Sequence, residues 1–410
     1  MEIAKTKQLD AVNHKTRLSL ALFINYFIHG MVLVILTQNM ISLANSWNTS
    51  IAVVSYVISG IGIGRLMAYP VTGILSDKLN RKMFIIIGML CYFFFLALMP
   101  IASNLVLAYG LAILAGIGNS ALDAGTYTTL VEINNGSGRA TVFIKAFISA
   151  GDFLLPLAVF FLSSHKIWFG FSFMIPATII FINFINILNI KFPKINNKIF
   201  QAEIKQSTLS KPRKTIATIS LLGYGYTSMA LMLVFTQWIT LYGKEVLSFS
   251  NITAHFLLSL YSLGSITGVL VISFILKHKS LEKPLVVILN LMTLASLVGI
   301  SMIDNPVIVE ILCTLFGFSA AGGVMQTGLT IFMQLFPKHR GLVTGLFYFF
   351  GSIASLTIPL ITGYLSIRGI GLAFNLNILI ASISTILVII LMIAVGDERK
   401  HQNVTRTKTQ

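Results

Sequence analysis

The sequence predicts an all-α membrane protein, with twelve transmembrane helices in two pseudo-symmetric six-helix bundles. Three observations lead there. Only 10% of the 410 residues are charged while 56% are hydrophobic, whereas soluble domains carry about 25% charged residues. The apolar residues fall into twelve blocks, each long enough to cross a hydrocarbon core that takes about 20 helical residues. The basic residues collect in alternate breaks between those blocks.

The first six spans are expected at 18–43, 51–75, 82–102, 105–130, 140–163 and 167–192. The second six follow at 215–242, 251–276, 283–303, 306–335, 340–365 and 370–395. They must be helices, because in lipid each backbone segment has to satisfy its own hydrogen bonds. The domain organisation is then a tail at 1–17, a bundle at 18–192, a basic linker at 193–214, a bundle at 215–395 and a tail at 396–410. The tail 1–17 is polar and basic, and the block at 18–43 is too long for a signal-peptide core, so it reads as a retained first helix.

The net charge of +16 is a matter of topology. With the N-terminus in the cytoplasm, 24 of the 29 lysines and arginines lie in inner loops and tails, and only Lys166, Lys244 and Arg368 in outer ones. The positive-inside rule then places both termini in the cytoplasm, and the linker rests on an anionic inner leaflet. No basic domain interleaved with aromatic residues is present to bind nucleic acid. Cys91 and Cys313 both lie within apolar blocks and fit no metal or disulfide spacing.

The two halves read as distant copies. Gly60 and Gly64 in span 2 are matched by Gly264 and Gly268 in span 8, and the small-residue stretch from Gly116 in span 4 by that from Gly317 in span 10. Spans 5 and 11 begin near Arg139 and Arg340 and carry Pro156 and Pro359 at similar depth. Small residues four apart let helix backbones approach closely.

The loop after span 2 reads Gly73-Ile-Leu-Ser-Asp77-Lys78-Leu-Asn80-Arg81-Lys82. It resembles the G-x-L-x-D-R/K-x-G-R-R/K signature of the major facilitator superfamily. Asn80 stands where glycine is usual, and asparagine tolerates the left-handed backbone such a turn can require. A closer likeness, to bacterial inner-membrane permeases of the YdiM/YdiN type, is carried by NYFIHGM (25–31), GIGRL (62–66), NSALDAGTY (119–127), IKAF (144–147), WFGFSFMI (168–175), SAAGGVMQTGLT (319–330) and GSIASLTIPLIT (351–362). The resemblance covers essentially the whole chain. It implies a transporter that works by alternating access, with Gly73, Asp77, Lys78, Arg81 and Lys82 forming a cytoplasmic gate. It implies no cofactor and no ATPase subunit; the proton gradient would be the driving force. The partners would be a small-molecule substrate and the bilayer, and the protein would act as a monomer in the bacterial inner membrane. Two departures from related transporters stand out. Ala112 occupies the place of an arginine found in many proton-linked members, and Ser149–Pro156 departs from the glycine-proline motif of drug–proton antiporters.

Charges inside the spans are the candidate functional residues, since a charge at mid-bilayer costs at least about 2.5–3.5 kcal/mol. Asp123 is the first choice for a coupling carboxylate, because a carboxyl group removed from water can toggle between charged and neutral forms. Asp152 and His29 are further proton-coupling candidates, although His29 equally suits a packing role. Arg65 either pairs with an aspartate or receives a substrate carboxylate bidentately. Lys145 either snorkels to the interface or adds a positive charge for an anionic solute. Asn25, Asn119 and Tyr127 are candidates for one wall of a cavity; Tyr224, Gln237, Trp238, Gln326 and Tyr348 are candidates for the other. Among acidic residues within spans, the second half has only Glu310. The expectation is therefore proton-coupled symport of a small polar organic solute, with a carboxylate as the favoured class. Drug or metabolite efflux by proton antiport is the alternative. A membrane sensor or enzyme is the remote one, since no H-E-x-x-H, G-x-S-x-G or Walker A sequence occurs.

Overall fold

Long apolar blocks bounded by polar breaks leave the backbone one solution in lipid, and helices are what form. The computed structural model describes residues 2–76, 80–133, 139–192, 210–278, 281–336 and 340–395. The first bundle holds α1 (Glu2–Gln38), the short α2 (Met40–Ser46), α3 (Ile51–Ser76), α4 (Arg81–Leu98), α5 (Leu105–Ile133), α6 (Arg139–Ser164) and α7 (Phe171–Leu188). The second holds α8 (Lys211–Glu245), α9 (Asn251–His278), α10 (Glu282–Met302), α11 (Pro306–Phe316), a π-helical segment (Gly317–Val324), α12 (Met325–Leu335), α13 (Arg340–Ser366) and α14 (Ile370–Val395). Among these are twelve helical stretches long and apolar enough to cross a membrane.

Three expected spans need adjustment. The first helix runs from Glu2 with its membrane-crossing stretch at Lys15–Gln38, so the span ends near Gln38 rather than 43, and a break at Asn39 separates it from α2. The sixth begins only at Phe171, because Lys166 takes a positive φ of 54° and the chain turns through Trp168 before the helix starts. The tenth is three pieces, since the run Gly-Phe-Ser-Ala-Ala-Gly-Gly-Val adopts π-helical geometry. Such geometry is rare, occurs mostly as single-turn bulges inside α-helices, and is frequent at functional sites.

The glycine pairs do what their spacing suggests. A Cβ on Gly64 would run into the Ile113 carbonyl, and one on Gly264 into the Thr314 carbonyl. Gly116 and Gly322 meet Gly64 and Gly268 from the facing helices. The α3–α5 and the α9–π-segment crossings are therefore the same seam built twice. A second repetition was not read from the sequence. Lys82 Nζ, at the start of α4, donates to the carbonyls of Leu188 and Ile190 (2.8 and 2.9 Å) at the end of α7. Lys283 Nζ, at the start of α10, donates to the Val395 carbonyl (3.0 Å) at the end of α14. In each bundle a lysine meets the negative end of a helix dipole, where a cation is stabilising.

The bundles meet along α3–α13 and α6–α9. Call the end bearing the breaks near 80, 210 and 281 the basic end. Midway along the spans, Ser149 Oγ donates to Ser265 Oγ (3.1 Å) and Arg65 Nη1 to Ser355 Oγ (3.2 Å). Toward the opposite end, Gln38 Nε2 donates to Thr240 Oγ1 (3.1 Å) and His255 Nδ1 to Gln38 Oε1 (2.9 Å). There too Gln237 Nε2 donates to Ser55 Oγ, which donates in turn to the Pro359 carbonyl (both 2.5 Å). The joint between bundles thus runs from the middle of the spans to the end away from the basic loops.

Candidate functional site

Helix α3 supplies Arg65 and, one turn later on the same face, Tyr69. Helix α5 supplies Asn119, Asp123 and Tyr127 at the same spacing, and α1 supplies Tyr26 and His29. The glycine seam between α3 and α5 brings the first two sets together. Asp123 accepts from the hydroxyls of Tyr26 and Tyr69 (each 2.6 Å) and from Asn119 Nδ2 (3.3 Å). Arg65 Nη2 donates to the Tyr69 hydroxyl at 3.5 Å, and its guanidinium lies 5.7 Å from the centre of that ring. Arg65 and Asp123 therefore do not touch: a phenol hydroxyl stands between them, accepting from the cation and donating to the carboxylate. Arg65 Nη1 reaches across the joint to Ser355, and its Nε, buried, has no hydrogen-bond partner.

His29 continues the network on the far side of Asn119. Its Nδ1 is hydrogen-bonded to the Tyr92 hydroxyl, and its Nε2 faces Asn119 Nδ2 at 3.4 Å. A neutral imidazole satisfies both contacts, one nitrogen donating and the other accepting. Tyr127 packs edge-on against Tyr26 at 5.8 Å. Tyr348 of α13 lies within electrostatic range of Tyr127, Asp123 and Arg65, and so brings the second bundle to the cluster. On α6, Lys145 is half-buried within electrostatic range of Asp152, Asp123 and Arg65, and so faces the cluster. Asp152 is buried, and its Oδ1 has no hydrogen-bond partner.

The structure thus joins Arg65, Asn119, Asp123 and His29 in one hydrogen-bonded network with Tyr69, places Tyr127, Tyr348 and Lys145 within electrostatic range of Asp123, and places Asp152 within range of Lys145. Other candidates lie elsewhere. Asn25 is fully buried inside the first bundle, where it accepts from Asn183 Nδ2 (2.7 Å) of α7. One turn from His29, it nevertheless serves α1–α7 packing. Tyr224 is enclosed within the second bundle, where its hydroxyl donates to the Val324 carbonyl (3.1 Å) at the end of the π segment and accepts from Asn290 Nδ2 (2.8 Å). Trp238 is 0% exposed, and its buried Nε1 has no hydrogen-bond partner. Gln237 is part of the clasp to Ser55. The side chain of Gln326 lies outside those described, and Asp77 and Lys78 lie outside the described residues; Gly73 falls in the last turn of α3. Of the rest of the gate motif, Lys82 caps α7 and the Arg81 carbonyl faces Gly125. Asn80 is not left-handed. Its backbone is extended (φ −64°, ψ 118°), and its side chain accepts from Lys82 N at 3.0 Å as the N-cap of α4.

Sequence reading missed Tyr26, Tyr69, Tyr92 and Ser355. Tyr69 was within reach, four residues after Arg65 on one helical face. The others depend on which helices pack together, which no local spacing reports. Among the described residues no group of three or more histidines, cysteines and acids is arranged to hold a metal. A cavity of about 300 Å³ near Asn39, Ser42, Lys166 and Trp168 contains none of the cluster.

Residues 18–359 match the Major Facilitator Superfamily. The chain is 37% identical over 388 residues to the inner membrane transport protein YdiM of Escherichia coli (strain K12), covering 94% of this chain and 96% of that one. It is 33% identical over 378 residues to the inner membrane transport protein YdiN of the same organism, covering 91% and 89%. A crystal structure of a point mutant of the nucleoside transporter NupG superposes with a TM-score of 0.71 at 17% identity, over 93% of this chain and 99% of that one.

Proposed function

The chain belongs to the major facilitator superfamily, and from that premise we propose that it is a proton-coupled symporter of a small polar organic solute. It is a multi-pass membrane transporter of small molecules and not an enzyme. The observation that carries the proposal is the Arg65–Tyr69–Asp123 relay. It joins opposite charges through one hydroxyl at mid-span, and its cation reaches across the joint between bundles to Ser355. A solute bound there contacts both bundles at once, which is what alternating access requires.

A carboxylate is the favoured solute class. Arg65 keeps one unpartnered nitrogen, Nε, and Lys145 adds a second cation within electrostatic range. Tyr127 and Tyr348 offer aromatic surface from the two bundles. The basic end is read as cytoplasmic, with both termini there, in a bacterial inner membrane. On that orientation the joined end is periplasmic, and the conformation described is inward-facing. The protein works as a monomer on the proton gradient, without a cofactor.

The test is reconstitution into vesicles with an imposed pH gradient and a screen of labelled small organic acids and neutral polar metabolites. Gradient-dependent accumulation of at least one, with acids foremost, is expected. Absence of any gradient-dependent flux from a correctly inserted protein overturns the proposal.

A further inference from the structure

Two buried aspartates of the first bundle differ in what they are bonded to. Asp123 already receives three donors, two of them phenols at 2.6 Å, and one of those phenols is itself engaged by Arg65. Hydrogen bonds to a carboxylate favour its charged form, and Asp123 has a donor on each of its two oxygens. Asp152 is 8% exposed, and its Oδ1 accepts from nothing. A buried carboxylate oxygen that no protein donor reaches is costly to keep charged.

The surroundings of Asp152 link it to the joint between the bundles. It follows Gly151, which packs against the α1 backbone at Phe27 and Gly30. It lies between Ser149 and Phe153, the two residues through which α6 hydrogen-bonds to Ser265 and Ser259 of α9 (3.1 and 2.9 Å). Its carbonyl is the one that Pro156, four residues on, cannot serve, because proline has no N–H. The equivalent place on α13, four residues before Pro359, is Ser355, the acceptor for Arg65. In both helices, then, a polar side chain at the joint sits where proline loosens the helix. The titratable groups facing Asp152 are Lys145 on its own helix and Tyr261 on α9. On the α1 side His29 adjoins Gly30, but its ring is taken up by Tyr92 and Asn119.

We propose that Asp152 carries the exchangeable proton, through Oδ1, while Asp123 stays ionised as the fixed anchor of Tyr26, Tyr69 and Arg65. This rests on the proton-coupled reading above. When Oδ1 takes a proton, the carboxyl group becomes neutral within electrostatic range of Lys145, at a point where α6 is joined to the second bundle. When it releases the proton, a negative charge is restored there.

The proton itself is the probe. Infrared difference spectra of the purified full-length protein are recorded as pH is stepped, and the C=O stretch of protonated carboxyl groups is followed. A carboxyl band titrating apart from the solvent-exposed acids is expected in the wild type. It should be lost in Asp152→Asn, retained in Asp123→Asn, and shifted in position in Asp152→Glu. Should Asp152→Asn fail to fold, Asp152→Glu decides. An unshifted band in Asp152→Glu, a band persisting in folded Asp152→Asn, a band lost in folded Asp123→Asn, or no such band in the wild type overturns the assignment. The spectra need no solute, so the vesicle screen fails or succeeds separately.

Discussion

The two bundles share a backbone plan and differ in what they bury. Both cross their second and fourth spans on glycine, at Gly64 and Gly264, and both cap their sixth span with a lysine from the third, Lys82 and Lys283. Inside the first bundle the polar network is charged, running from Arg65 through Tyr69 to Asp123. Inside the second it is neutral: Ser384 donates to Asn290 Oδ1 (2.9 Å), and Asn290 donates to Tyr224. The difference teaches that the two halves repeat their packing seams while the charged network lies in one of them. Charge costs most in lipid, so a charged network in one half alone marks that half as the one to test for a role in transport.

Substitutions at matched places can break or sharpen that comparison. The largest effect is expected from Asp123→Ala, which leaves Arg65 and two phenols without their acceptor. Stranding a buried charge costs about 3–5 kcal/mol, against about 2 kcal/mol for Asn290→Ala, which strands neutral groups. Thermal unfolding of the detergent-solubilised protein measures both, and equal losses would erase the contrast. Next come Gly64→Ala and Gly264→Ala, each pressing a methyl group on a facing backbone carbonyl. A loss of about 3 kcal/mol is expected in either half, at the upper end of overpacking costs; a large loss in one half alone would mean the seams are not equivalent. Removing one hydroxyl is a finer probe. Tyr69→Phe is expected to cost about 2 kcal/mol, because its hydroxyl bonds to charged groups, and Tyr224→Phe about 1 kcal/mol, because its own does not. The smallest effect belongs to the lysine caps, where Lys82→Met and Lys283→Met should each cost about 0.5 kcal/mol and fade as salt is added.

The fold was legible because apolar block length, basic-loop alternation and glycine spacing are local signals set directly by the bilayer. Span ends were less so: Lys166 in a left-handed turn and the π segment from Gly317 depend on backbone details that hydropathy does not report. The charged members of the cluster stood out in the sequence because a charge within an apolar span has few explanations. Their aromatic partners did not, because Tyr26 and Tyr92 look like any buried tyrosine until the packing of α1, α4 and α5 is known. The same blindness applies to Asn25, Tyr224 and Trp238, which the structure buries within their own bundles: a residue's face on one helix does not say which neighbour it meets.

The central claim is that the charged first bundle rocks against the neutral second one about a joint at mid-span. Its most direct measurement is a pair of spin-label distances in vesicles, in a background with Cys91 and Cys313 replaced. One pair joins Ser42 to Ser250 at the joined end, and the other joins Asn80 to Leu281 at the basic end. Reversing the imposed pH gradient should lengthen the first distance while shortening the second. Two distances that stay fixed, or that change in the same sense, would contradict the claim.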